Sequence, residues 1–188
     1  SYKNKKMINR IYKNIHIKYL SFFKFIFFLR YLFAIFLTST ILYLYIPTFF
    51  DYSKKERVLR NYLSQNYDIN IEKLEKIEFN VFPIPNLKIK NTILNFSSNN
   101  LKMNSQTLII YPKLIYLYDY KNFNAKKIRL QNNDLTLEIK DIKLLKRYLN
   151  NQKNKVEINN LDLEIKNKNT FIINLKNIEV KNIAKRYL

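Results

Sequence analysis

The 188-residue chain contains no cysteine, no glycine and no tryptophan, and only one histidine. Without cysteine there is no disulfide framework, no thiolate nucleophile and no cysteine-ligated metal. Without glycine there is no phosphate-cradling loop of the usual kind. The histidine, His16, lies in a basic N-terminal stretch, so a metal site or a histidine base lacks its usual companions. Paired acids such as Glu75 and Glu78 stand among Lys73 and Lys76, the composition of a solvated face. These absences argue against an enzyme, and no metal or cofactor is expected.

Negative charge is also scarce, with 14 Asp and Glu against 34 Lys and Arg for a formal net charge of +20. So basic a chain raises nucleic acid and anionic lipid as partners. Its distribution weakens the first, because no compact basic stripe stands out beyond residue 50. Lys, Asn, Ile, Phe and Tyr, the amino acids of AT-rich codons, are all over-used, so base composition stands beside a selected partner as a source of the charge.

What is present begins with direction. Residues 31–50, from Tyr31 to Phe50, carry no charged side chain, and the thirty residues before them carry only positive charge: Lys3, Lys5, Lys6, Arg10, Lys13, Lys18, Lys24 and Arg30. A run of about 18 or more mostly apolar residues is long enough to cross a hydrocarbon core as a helix. Basic residues flanking a first apolar helix hold that side in the cytoplasm, and they also suit anionic headgroups at about 1 kcal/mol each. A cleaved signal peptide has a shorter apolar core followed by small residues. This run ends in Ile46-Pro47-Thr48-Phe49-Phe50-Asp51, so retention is expected. Four segments follow from this: 1–30 a basic cytoplasmic juxtamembrane segment, 31–50 a transmembrane helix, 51–68 a short amphipathic helix, and 69–188 a β domain. The start at Ser1 and the strand-like pattern at the other end read as a piece of something longer.

Asp51 and Ser53, with Glu56 three residues after Ser53, spell a capping box ahead of Val58, Leu59, Tyr62 and Leu63. From Asn70 onward the apolar period drops to two: Phe79 and Val81, Leu87 and Ile89, Ile128 and Leu130, then Leu135, Leu137 and Ile139, and finally Leu161, Leu163 and Ile165. Such alternation describes half-buried strands. Asn-rich joints at Ser98-Asn99-Asn100, Asn132-Asn133-Asp134 and Asn159-Asn160 read as turns, since Asn substitutes for glycine where φ is positive. The expectation is an α+β fold in which consecutive strands pair antiparallel as a meander. Helical interruptions are expected at 113–118 and 141–150, the second from an Asp141 cap.

In order, these pieces resemble the N-terminal region of the AsmA-like family of envelope proteins. The likeness covers roughly residues 31–137. It rests on the basic start, the apolar helix, the short helix, and the strand, proline-marked turn and strand of Glu78-Phe79-Asn80-Val81-Phe82-Pro83-Ile84-Pro85-Asn86-Leu87-Lys88-Ile89. Leu108 to Leu117 followed by Ala125 to Leu130 extends it. The family usually has a glycine near the end of the short helix, where this chain has Asn66-Tyr67-Asp68.

The resemblance implies a sheet forming the start of an open hydrophobic groove related to bridge-like lipid-transfer proteins, anchored in a bacterial inner membrane and projecting into the periplasm. It implies a part in phospholipid transport between membranes or in outer-membrane assembly. The groove lining would then come from Phe79, Val81, Leu87, Ile89, Ile128, Leu130, Leu135, Leu137, Ile139, Leu161, Leu163 and Ile165. Alternation reports only that a face is covered, and the same residues suit an ordinary core packed on Leu144, Leu145, Tyr148 and Leu149. The rival function is a bitopic scaffold that recruits an envelope protein through a sheet edge. Nucleic-acid binding by the basic head ranks third.

Overall fold

The computed structural model describes residues 2–96, 101–119, 121–168 and 170–182. The chain divides into two compact units, residues 1–45 and 46–188. The first is a single helix, α1 (Tyr2–Tyr45), continuous through the basic segment and most of the apolar one, whose last residues form a 3-10 turn, Ile46–Phe49. Residues 19–49 form a stretch long and apolar enough to cross a membrane, with a mean hydropathy of 2.0 in its most apolar window. Two hydroxyls within it are satisfied internally, Thr38 Oγ1 donating to Ala34 O and Thr40 Oγ1 to Phe36 O, each at 2.8 Å. Backbone acceptors one turn back thus remove the cost of placing these groups in an apolar medium.

The second unit carries a seven-stranded sheet. A 3-10 turn (Ser53–Lys55) leads into α2 (Glu56–Tyr67). The expected capping box does not form. Asp51 Oδ1 instead accepts from Ser53 N and Ser53 Oγ, and Glu56 pairs with Arg60 at 2.6 Å. Arg60 also donates to Ile71 O, tying the helix to the first strand. The helix stops at Asp68, whose left-handed conformation (φ 54°) performs the chain reversal expected of a glycine there.

Strands β1 (Ile69–Lys73) and β2 (Lys76–Asn80) lie in tandem along one edge, both antiparallel to β3 (Asn86–Phe96). Then come β4 (Leu101–Pro112), β5 (Ala125–Glu138), β6 (Lys155–Asn167) and β7 (Thr170–Lys181), in the order β1-β3-β4-β5-β6-β7. The meander fails at one joint, for β5 and β6 are parallel. A parallel pair needs a crossover, and the segment holding α3 (Ile142–Asn151) supplies it. Asp141 holds the N-cap position of α3 without a side-chain cap bond. The expected helix at 113–118 is one 3-10 turn, Leu114–Tyr116.

Two of the Asn joints are not turns. Ser98-Asn99-Asn100 lies outside the described residues, but Asn132 and Asn160 sit inside uninterrupted strands, with φ of 53° and 52°. Asn91 in β3 and Asn177 in β7 share this conformation, with φ of 47° and 55°. Their side chains link across the sheet: Asn91 Nδ2 to Glu75 Oε2 at 2.6 Å, Asn132 Nδ2 to Gln106 Oε1 at 3.1 Å, and Asn160 Nδ2 to Asn132 Oδ1 at 3.0 Å. Together they mark a crease running transverse to the strands. At the crease the buried positions change parity, from Leu87 and Ile89 to Thr92 and Leu94, from Ile128 and Leu130 to Asn133 and Leu135, and from Val156 and Ile158 to Leu161 and Ile165. A left-handed residue turns two successive side chains outward, which keeps the apolar set on one face while the strand bends.

This geometry makes Asn160 a sensitive position. Asn160→Val is expected to destabilise by about 1–2 kcal/mol, the cost of forcing a Cβ-branched residue left-handed, and Asn160→Gly by less. Urea unfolding of the detergent-solubilised chain would measure both, and equal costs would contradict a role for the left-handed conformation.

Candidate functional site

The alternating apolar positions converge on one sheet face. Phe79, Leu87, Ile89, Ile128, Leu130, Leu135, Leu137, Leu161 and Ile165 are all buried there, Val81 and Leu163 are half-buried, and Ile139 is exposed in the turn after β5. Their cover is protein: Leu59, Tyr62, Leu63 and Tyr67 of α2, Leu145 and Tyr148 of α3, and Tyr52, Leu117 and Phe123 from the connections. Tyr52 stacks on Phe79 at 6.2 Å, Tyr62 meets Phe123 edge-on at 5.0 Å, and Tyr148 meets Phe96 at 4.7 Å. Polar ends of the aromatic side chains lock the cover in place. Tyr62 Oη accepts from Ala125 N at 2.8 Å, and Tyr148 Oη donates to Tyr67 O at 2.8 Å. Gln152 Nε2 donates to the same carbonyl at 2.7 Å. Over β1 to β6 the face that sequence reasoning offered to lipid is therefore the interior of the domain.

The cover ends before the sheet does. In β7, pairing of Ile173 with Ile165 and of Leu175 with Leu163 continues the apolar face onto the last strand, whereas a register shift sets Phe171 opposite Lys166. Ile173 and Leu175 are exposed, as are Phe171 and Ile172. Lys166 Nζ sits 4.4 Å from the Phe171 ring. Register puts Glu138, Lys166 and Phe171 in one row, so the exposed Ile139 lies at the same end. Beyond β7 no strand pairs among the described residues. No family model matches this chain, and no curated protein matches it.

Sequence reasoning saw a strand-like pattern at this end but did not assign the apolar positions of β7. The run Phe171-Ile172-Ile173 hides its alternation, and the crease at Asn177 shifts Ile178 and Val180 out of phase with Leu175. A search for two-residue polar steps between alternating runs would have assigned them.

On the polar face, Glu157 is buried beneath three cations. Lys127 Nζ lies 3.1 Å from Oε1, Lys155 Nζ 3.1 Å from Oε1, and Arg129 Nη2 2.8 Å from Oε2. Burial alone would raise the carboxyl pKa, but hydrogen bonds from Arg129, Lys155 and Lys127 outweigh it and hold it at about 2. Lys127 and Arg129 also approach the Tyr111 ring, at 4.9 and 5.5 Å. Among the described residues no group of three or more His, Cys, Asp or Glu could hold a metal ion. Of the basic residues preceding the apolar run, Lys13, Lys24 and Arg30 are exposed, and the side chains of Lys3, Lys5, Lys6, Arg10 and Lys18 lie outside the described set.

Proposed function

We propose that the chain is an inner-membrane-anchored, non-catalytic envelope protein of AsmA-like type. On this reading its N-terminus is cytoplasmic, its sheet domain lies on the periplasmic side, and it takes part in phospholipid transport or outer-membrane assembly. Orientation rests on the eight basic residues and no acids ahead of the apolar run. The observation that carries the lipid assignment is the apolar sheet face that outruns its helical cover at β7, because contiguous exposed apolar surface marks a binding surface. Acyl chains would meet Ile173 and Leu175, and the residues of β1 to β6 would support that surface from within. The second reading, recruitment of an envelope protein by strand addition, is favoured by the same strand's edge, which has no partner among the described residues.

A photo-crosslinking residue at position 173, activated in native membranes, separates the two. Lipid adducts support transport, and one dominant protein adduct supports the scaffold. The same residue at buried Leu137 should give neither, and a silent position 173 would remove both readings.

A further inference from the structure

We infer that one end of the sheet domain is itself embedded in the interfacial layer of the membrane, through Phe82, Ile84, Ile115 and Phe49. This rests on the reading that α1 crosses that membrane. Among the described residues of the second unit, the three most exposed large apolar side chains are Phe82 at 87%, Phe49 at 82% and Ile115 at 75%. They come from three separate segments, yet the fold gathers those segments at one end. Pairing of Phe79 with Leu87 and of Leu87 with Ile110 sets the β2–β3 turn (residues 81–85) beside the end of β4, from which the connection 113–124 departs. Phe50, next in sequence to Phe49, meets Tyr118 of that connection at 5.7 Å. One peptide bond joins Ile46 to Tyr45, the last residue of α1.

The tips are held, which lowers the ordering cost of inserting them. Asn86 Nδ2 donates to Ile84 O at 2.7 Å, and Lys113 N donates to Asn124 O at 2.9 Å, closing the longer loop at its base. Pro83 and Pro85 have no N–H, so the turn carries two fewer donors to strip of water. Lys113, Lys121 and Lys126 flank the loop, where anionic headgroups would sit. The one acid between them, Asp119, is occupied by Lys121 N at 3.1 Å, Asn122 N at 3.2 Å and Asn122 Nδ2 at 2.8 Å. Exposed apolar tips with lysines along one of their loops fit a bilayer interface better than a protein groove, and the bilayer is the occupant we assign.

The chain has no cysteine, so a single introduced one takes a nitroxide spin label without background. Full-length F82C, I115C, I41C and Q106C proteins would be reconstituted in vesicles of phosphatidylcholine and phosphatidylglycerol. Each label's collision rates with oxygen and with a water-soluble nickel chelate would then be compared. Expected is an oxygen-to-nickel ratio at 82 and 115 several-fold above that at 106, on the outer sheet face, with the highest ratio at 41. Ratios at 82 and 115 equal to that at 106, with 41 protected, would overturn this inference and leave the anchor intact. Loss of both oxygen and nickel collisions at 82 and 115 would also overturn it, since that reports burial against protein. A nickel-accessible position 41 would remove the anchor and this inference together.

Discussion

Leu137→Asp will unfold the sheet domain, and Ile173→Asp will leave it folded. Leu137 is 3% exposed under the cover of α2 and α3, whereas Ile173, on the same apolar face two strands away, is 45% exposed. Deleting a buried leucine costs about 2–5 kcal/mol before any charge is counted. Burying an unpaired carboxylate adds several more, enough to exhaust the 5–15 kcal/mol typical of a whole domain. At Ile173 the new carboxylate stays hydrated, so only binding through β7 should suffer. Circular dichroism and urea unfolding of the two variants in detergent decide the matter. A Leu137→Asp protein as stable as the parent would mean the face over β1 to β6 opens to solvent or lipid, which the packing of Tyr62, Tyr67 and Tyr148 contradicts.

Acid should weaken the domain through Glu157. Its folded-state pKa, about 2, lies below the 4.5 of a free glutamate, so its contribution is present above pH 4.5 and is lost as pH falls toward 2. The shift corresponds to about 3 kcal/mol at most, because Lys155 is half exposed and solvent screens it. Glu157→Gln should cost about 1–3 kcal/mol at neutral pH, since Lys127 and Arg129 would be left partly buried without a counter-charge. Plotted against pH, the stability gap between parent and variant should open between about pH 2 and 4.5 and then stay constant. A gap independent of pH would show that the carboxylate is not held charged by its neighbours.

The apolar helix, the short helix after it, the change of period near residue 70 and the α+β class were all legible in the sequence, because each rests on local periodicity. Burial of Leu130 or Leu161 was legible too, but the identity of what covers them was not. Period two says a face is hidden, and only tertiary packing assigns Tyr62 and Tyr148 as the lid. Strand direction was equally silent: Leu135-Thr136-Leu137 reads the same whether β6 runs up or down, and only α3 between the two strands hinted at a parallel pair. Asparagine misled most. Its tolerance of positive φ was read correctly at residues 132 and 160, but a left-handed residue bends a continuous strand as readily as it closes a hairpin. The choice depends on neighbours hydrogen-bonded far along the chain.

The crease also acts as an alignment key. A further strand laid along the whole length of β7 would have to switch its own inward parity opposite Asn177, or else present polar side chains to the apolar face on one side of the bend. Uniformly alternating sequences would fit half of β7 and clash with the other half. Slipping a matching sequence by one residue would misplace its switch, so the bend admits one register. An extension of this sheet, whether by the same polypeptide or by another, is thus spelled in advance: apolar alternation, a two-residue polar step with Asn or Gly in it, then alternation resumed in the opposite phase.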